Sequence, residues 1–476
     1  MKRNWSLRTL AAALLATTPL GAASADTLQE ALASAYLTNP ELTAQRAAQR
    51  VIDESVALAN SNFRPTLGTQ ATFNQDFTEP GRLDEDDGRQ LNVGVRLSQD
   101  VYTGGSNMAT LRAADQRVLS GRQNLRGTEN RVLLNAVTAY NDVLRDQSLV
   151  ELNTNQVSVL EQQLRASRDR FEVGDVTRTD VAQSDARLAN ARSQRIAAIG
   201  RLTASREAYR RTVGRAPVDL APPPPLPPLP GTVEQAIDIA HAENPALISA
   251  RFVEAAARYD VRLAESGRLP TLGVSTDVGY QNAQLGSSNA NQGFSITDFG
   301  QSIGAQLTVP FYSGGAVSAR VREAKARRSQ AMENIVVAER QVTENVRNAW
   351  EQIQTARATI EAAQVGVTAN ELAVEGTQQE NLVGSRNILD VLNAQQELLL
   401  AQSNLVTARR DEYVAGYALL SALGRVEAGA LGLPVETYDP KVYYDSVRGK
   451  WAGANGRVPA VGSTAVGTSE VTKPAN

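Results

Sequence analysis

The sequence predicts a duplicated chain in which a four-stranded, membrane-length β-sheet is continuous with helices of about 65 residues. Three observations carry that prediction: one unit is written twice, each copy holds two stretches of alternating polar and apolar residues, and each copy then runs on without proline in heptads.

The repeat comes first. Thr27 to Gly68 matches Thr232 to Gly273 at a constant offset, through Thr27/Thr232, Ala31/Ala236, Asn39/Asn244, Pro40/Pro245, Leu42/Leu247 and Arg46/Arg251. From Leu97–Gly105 (LSQDVYTGG) and Leu307–Gly315 (LTVPFYSGG) a second constant offset holds through Val173-Gly174/Val383-Gly384 and Gly214/Gly424. The only length difference falls between residues 68 and 97, and insertions are tolerated at exposed loop tips.

Each copy opens with a helix, about 30–60 and 234–265. Asn39-Pro40 and Asn244-Pro245 mark a break or second start, since proline suits a first helical turn and not an interior. The first strand pair sets Leu67, Thr69, Ala71 and Phe73 beside Leu91, Val93, Val95 and Leu97. The second sets Leu272, Val274, Thr276, Val278 and Tyr280 beside Ile303, Ala305, Leu307 and Val309. A period of two with one apolar and one polar face is a half-buried strand, and about 10–12 residues suffice to cross a bilayer at a tilt. The intervening acidic stretch 79–89 and the Gly/Ser/Asn stretch 286–293 read as surface loops.

After Gly104-Gly105 and Gly314-Gly315, proline is absent from Ser106 to Phe171 and from Ala316 to Asn381. Leu111, Val118, Leu125 and Val132 fall seven apart. In the last helix three rows coexist: Val391/Leu398/Leu405, Leu392/Leu399/Val406/Tyr413/Leu420 and Ala394/Ala401/Ala408/Ala415/Ala422. Several heptad rows on one helix require neighbours on two sides, as in a closed ring. At 1.5 Å per residue such a helix spans about 100 Å, a tunnel wall or a stalk. The organisation expected is a signal peptide at 1–25, a first repeat at 26–220, a Pro-rich linker at 221–231 (APPPPLPPLPG), a second repeat at 232–430, and a C-terminal segment with a disordered tail at 431–476.

Composition narrows the function. Lys2 and Arg3, the apolar run Leu10–Leu15 and Ala23-Ser24-Ala25 read as a secretory signal. Without residues 1–25 the chain has 45 basic against 51 acidic residues, which argues against a nucleic-acid partner. There is no cysteine and a single histidine, His241, so thiol chemistry, a lipidated cysteine and the usual zinc sites are out of reach. With no phosphate-binding glycine loop either, no enzyme and no cofactor is expected.

Four strands cannot close a barrel around a channel, and open sheet edges are not tolerated in lipid. Three copies give 12 strands, so a homotrimer in outer-membrane lipid is expected, with a ring of helices below it. A trimeric coiled-coil stalk or adhesin anchored in the outer membrane is the alternative; it accounts for the helices and not for the twin amphipathic hairpins.

The Thr-Leu-x-x-Ala-Leu opening with Asn39-Pro40, the Pro65-Thr66-Leu67 turn, Tyr102 and Tyr312 before Gly-Gly, and FEVGDVTRTDVAQSDARLA (171–189) together resemble the TolC family of outer-membrane efflux and secretion proteins, over about residues 27–430. The resemblance implies a trimeric β-barrel continuous with a periplasmic helical barrel in a Gram-negative outer membrane. It also implies a role as exit duct of a tripartite pump or type I secretion system, with a periplasmic adaptor (membrane fusion) protein and an inner-membrane transporter of ABC or RND type. It places the gate arginine at Arg386, its partner aspartate at Asp180 and a constriction carboxylate, a ring for cations, at Asp390. The family's gate tyrosine is Asn381 here and its second constriction acid is Asn393, which weakens the closing network and halves the charge ring in the second repeat. The hairpin tips Val173, Gly174, Asp175, Val383, Gly384 and Ser385 are the expected adaptor docking points. From the residues alone, Thr177 with Asp180 and Asn387 with Asp390 have capping-box spacing, so capping and gating both stay open for the two aspartates.

Overall fold

The computed structural model describes residues 26–75, 88–285 and 294–458. The signal-peptide reading, most of the 79–89 loop, all of the 286–293 loop and most of the tail lie outside those residues.

In chain order the elements are α1 (Leu28–Thr38), α2 (Pro40–Ser61), β1 (Thr66–Gln75), β2 (Gly88–Tyr102), α3 (Ser106–Glu172) and α4 (Arg178–Val213). They continue with α5 (Val233–Glu243), α6 (Pro245–Ser266), β3 (Thr271–Leu285), β4 (Phe294–Thr308), α7 (Ala316–Leu382), α8 (Ile388–Leu423) and α9 (Pro440–Arg448). Corresponding helices of the two halves have equal lengths: 11, 22, 67 and 36 residues. The break expected at Asn-Pro is real. Asn39 Oδ1 accepts from the Glu41 amide and its Nδ2 donates to Thr212 O, while Asn244 repeats both roles toward Ala246 and Ala422. Each Asn-Pro pair therefore starts one helix and ties it to the end of another.

The four strands form one antiparallel sheet in the order β1-β2-β3-β4. Register puts the expected apolar residues on a single face: Ala71, Val93, Tyr280 and Phe299 lie in one cross-strand row, and Thr69, Val95 and Val278 in the next. The other face carries Gln70, Asn92, Arg96, Ser275, Asp277 and Ser302, with Arg96 paired to Asp277 directly opposite it. Three strands are longer than the 10–12 residues expected, at 15 each: β2 begins inside the acidic stretch, at Gly88, while β3 and β4 run up to the borders of the 286–293 stretch.

Helical columns prolong the strands. Helix α2 feeds β1, β2 feeds α3, α6 feeds β3 and β4 feeds α7, and α2, α3, α6 and α7 touch in that same order. At each strand-to-helix step the chain needs two left-handed residues: φ is +62° and +84° at Gly104 and Gly105, and +61° and +82° at Gly314 and Gly315. A Cβ on Gly104 would also lie 2.8 Å from that of Leu269.

The heptad seam of α3 runs further than its apolar members indicate. Val118, Leu125, Val132, Ala139, Asp146, Asn153, Leu160 and Ser167, spaced by seven, are all buried. The polar members have partners: Asp146 takes Arg145 and Ser205, Asn153 Nδ2 donates to Leu149 O, and Ser167 meets Ser184. On α8 no member of the three expected rows is exposed.

The main core lies at mid-height, where α1 and α5 pack on the long helices and Tyr36, Tyr140, Tyr209, Leu133, Leu247, Leu419 and Leu423 are fully buried. The 221–231 segment crosses this region in extended form. Leu226 fills the space over Gly416, whose Cβ would come within 2.7 Å of it, and the Tyr140 hydroxyl lies 2.6 Å from Ala221 O.

The segment after α8 is more ordered than its fading pattern indicates. Residues 426 and 428 are clamped to α3 through Asn130 and Glu129, at 2.8 and 2.7 Å. Arg46 stacks between the rings of Tyr36 and Tyr438, and α9 spans α2 and α3 through Tyr443–Glu54 and Tyr444–Asp115 bonds.

Burial pushes the Glu129 carboxyl up to about 7, an effect the Ala428 amide only partly offsets. A folded-state pKa above the ordinary 4.5 means that the ionised form costs stability above about pH 7, a cost that fades as the pH falls toward 4.5. Glu129→Gln keeps the acceptor for Ala428 without the charge. We expect it to raise the thermal unfolding midpoint at pH 8, with the gain shrinking to nothing below about pH 5 when the two proteins are compared across a pH series.

Candidate functional site at the helix-hairpin tips

Two helical hairpins, α3/α4 and α7/α8, end side by side about 100 Å of helix away from the sheet. Their turns are built alike. Gly174 and Gly384 take φ of +79° and +78°, and Asp175 N donates to Arg170 O as Ser385 N does to Glu380 O, each at 2.9 Å. Such six-to-one bonds close a helix through a left-handed glycine. No atom lies within 4 Å of a Cβ on either glycine, so the backbone angle and not crowding selects glycine there. Val173 and Val383 at the apices are 81% and 80% exposed, two aliphatic knobs facing solvent.

The side chains then diverge between the copies. In the first turn Arg170 Nε donates to Asp175 at 2.7 Å. In the second the signs are exchanged: Arg386 Nε donates to Glu380 at 2.7 Å, and its other arm approaches Asp390 at 3.7 Å. Asp180 sits in a complete capping box, accepting from the Thr177 amide at 2.9 Å while Thr177 Oγ1 accepts from the Asp180 amide at 3.3 Å. Asn387 caps α8 through Leu389 alone, which leaves the Asp390 carboxylate half-exposed and turned to Arg386. Within one chain Arg386 and Asp180 do not meet: each is engaged on its own hairpin.

What joins the two hairpins at this end is a different set. Asn381 accepts from Arg170 at 3.3 Å and donates to Arg386 O at 2.9 Å, and Asn393 accepts from Arg187 Nη2 at 2.8 Å. Two asparagines of the second hairpin are thus held by two arginines of the first. Beneath them Ile388, Val391 and Leu392 of α8 are buried against Val157, Leu160 and Leu164 of α3 and Leu188 and Ala191 of α4. Burying three aliphatic side chains is worth roughly 5–9 kcal/mol, at about 1.5–3 each. An exposed charge-assisted bond gives about 1 kcal/mol or less. The apolar patch holds the hairpins together, and the arginines set their register.

Arg170, Arg187 and Glu380 escaped the sequence reading. Arg170 and Glu380 occupy equivalent places in the repeat with opposite charge, and that inversion was the available signal.

With this geometry in hand, comparison with known proteins decides the family. The family model described as "Outer membrane efflux protein" matches residues 28–215 and 236–425. The chain belongs to the outer membrane efflux protein family. It is 36% identical over 450 residues to the outer membrane efflux protein BepC of Brucella suis, covering 93% of this chain and 95% of that one. It is 31% identical over 370 residues to the alkaline protease secretion protein AprF of Pseudomonas aeruginosa, covering 76% and 73%. Among solved structures, the outer membrane protein VceC of Vibrio cholerae superposes with a TM-score of 0.70 at 19% identity, covering 83% of this chain and 96% of that one. The CmeC outer membrane channel of Campylobacter jejuni superposes with a TM-score of 0.72 at 17% identity, covering 83% and 85%. The chain is an outer-membrane channel protein of the efflux and secretion type, a duct and not an adhesin, and it extends from the outer membrane into the periplasm.

Because the apolar patch dominates, Leu392→Ala is expected to weaken hairpin docking by about 2–5 kcal/mol. Asn393→Ala is expected to weaken it by about 1 kcal/mol or less. Limited trypsinolysis at the tip arginines reads the difference, with Leu392→Ala cut markedly faster and Asn393→Ala close to the parent rate.

Proposed function

We propose that three copies of the chain form one passive duct that is shut at its periplasmic end by the α7/α8 hairpins and opens when they swing away from α3/α4. The observation that carries this reading is the junction of the hairpins through Arg170–Asn381 and Arg187–Asn393 over an apolar patch. Such a contact has two discrete states, docked and undocked, as a gate requires.

Threefold assembly is supported by the two outermost columns. On α2, Val51 and Leu58 are exposed near the sheet, and on the same stretch of α7 Met332, Val336 and Val337 are exposed. Aliphatic residues left bare on both end columns at one level fit a ring closed by neighbouring copies. In that ring Arg386 of one protomer faces a neighbour's first hairpin, where Asp180 stands beside its cap, and the Asp390 carboxylates converge on the axis as a ring that draws cations. Asn381 and Asn393 carry no charge, so closure relies on the intrachain arginines more than on acidic pairs.

The apices Val173, Gly174, Asp175, Val383, Gly384 and Ser385 are the surface offered to a periplasmic adaptor, with an inner-membrane transporter of ABC or RND type supplying the energy. The repeat division at 26–220 and 232–430, joined by the 221–231 linker, belongs to the same reading.

Arg386→Ser is expected to raise single-channel conductance in planar lipid bilayers several-fold. Joining it to Arg187→Ala is expected to raise conductance further, since the two bonds hold different elements. Conductance unchanged in both variants would remove these residues from the gate.

A further inference from the structure

The C-terminal helix α9 delivers a short segment to the level at which helix becomes strand. Asn60, in the last turn of α2, donates to Arg448 O at 3.0 Å, and Arg64, two residues before β1, donates to Lys450 O. The Arg64 guanidinium lies over the Trp451 ring, 4.8 Å from its centre. The loop that follows is closed rather than loose. Lys450 Nζ donates to Asn455 O, the Arg457 amide donates to Ser446, and Gly456 abuts the Tyr443 ring so closely that a Cβ there would come within 2.4 Å. Trp451 is nevertheless 73% exposed, an unusual state for the largest apolar side chain on an ordered segment.

Position and charge say what covers it. Leu67, the first lipid-facing residue of β1, is three residues past Arg64, about 10 Å along a strand. Phe63, Tyr102, Phe311 and Tyr312 are exposed at the same strand ends. Aromatic rings gather where a barrel leaves the hydrocarbon, because an amphipathic ring suits headgroup depth. Residues 445–458 hold Arg448, Lys450 and Arg457 against one acid, Asp445, and residues 60–66 hold Arg64 and no acid, although the whole chain has a net charge of −3. Glu54, the acid beside the groove of about 310 Å³ under Trp451, is engaged by the Tyr443 hydroxyl.

We propose that Trp451, Arg64 and Lys450, with Arg448 beside them, form a binding site for anionic phospholipid of the inner leaflet of the outer membrane: the indole seats at the glycerol level and the basic groups take the phosphate. The site fixes the height of the barrel in the bilayer from the periplasmic side. The inference rests on the membrane position of the sheet and not on the gate.

The test is fluorescence of the full-length protein in vesicles of phosphatidylcholine with a minority of phosphatidylglycerol, bromine being placed on the acyl chains of one lipid or the other. The emission of Trp451 is the difference between the parent and Trp451→Phe, so the other tryptophans cancel. The expected result is quenching by brominated phosphatidylglycerol well beyond its share of the lipid. Arg64→Gln or Lys450→Gln, which keep the indole, should each cut the excess about fivefold, the factor that corresponds to about 1 kcal/mol per basic residue at a membrane surface. Quenching in simple proportion to lipid composition would reduce Trp451 to a general interfacial ring and overturn the anionic site. No quenching from either lipid, with Trp451→Phe oligomers separating more readily in detergent, would place Trp451 between copies of the chain and overturn it equally.

Discussion

An unpaired backbone amide or carbonyl costs several kilocalories per mole in hydrocarbon, so a sheet cannot lie in a bilayer with bare edges. In this chain β1 and β4 are such edges, because the described residues supply four strands in the order β1-β2-β3-β4 and no fifth. Nearly everything else answers to that constraint. In the proposed assembly other copies close the sheet, which makes it cyclic, and the symmetry carries down into the helices because each column continues a strand. The exposed aliphatic residues of α2 and of the upper part of α7 stand below the open edges on β1 and β4.

Duplication gives a wall of two near-equal halves, and equality serves the wall. The same helix lengths, glycine pairs and Asn-Pro ties recur because each column must meet the next at one height. At the free end the need is reversed. In the proposed gate one hairpin moves against the other, and two identical hairpins would offer no preferred mover. The inversion of Arg170–Asp175 into Glu380–Arg386, and the meeting of asparagines on one hairpin with arginines on the other, supply that asymmetry at small energetic cost. The apolar contact of Ile388, Val391 and Leu392 carries most of the adhesion.

The wall was legible in the sequence because it is periodic. Alternation at Leu91–Leu97 and Ile303–Val309, heptads on α3 and α8, and the glycine pairs each follow from a rule that acts over a few residues. Legibility stopped where partners are far apart in the chain. The lower α3 seam was hidden by its polar members Asp146, Asn153 and Ser167, whose burial is permitted by local hydrogen bonds. Helix α9 is only nine residues long and held by Tyr443 and Tyr444 reaching α2 and α3, contacts across more than 300 residues that no local pattern announces. At the tips, spacing alone left capping and gating open for both aspartates. In the fold Asp180 completes its capping box, whereas Asp390 does not and is turned to Arg386; Arg187 became visible only when Asn393 was placed against it.

The central claim is that three chains close one barrel, and the mass of the assembly tests it most directly. Native mass spectrometry of the protein extracted from the outer membrane in mild detergent is predicted to give a single species of three times the chain mass, whose conductance in bilayers appears as one unit. A species of one, two or four chains that conducts with the same unit would contradict the account, because the four-stranded sheets would then have to close in some other way.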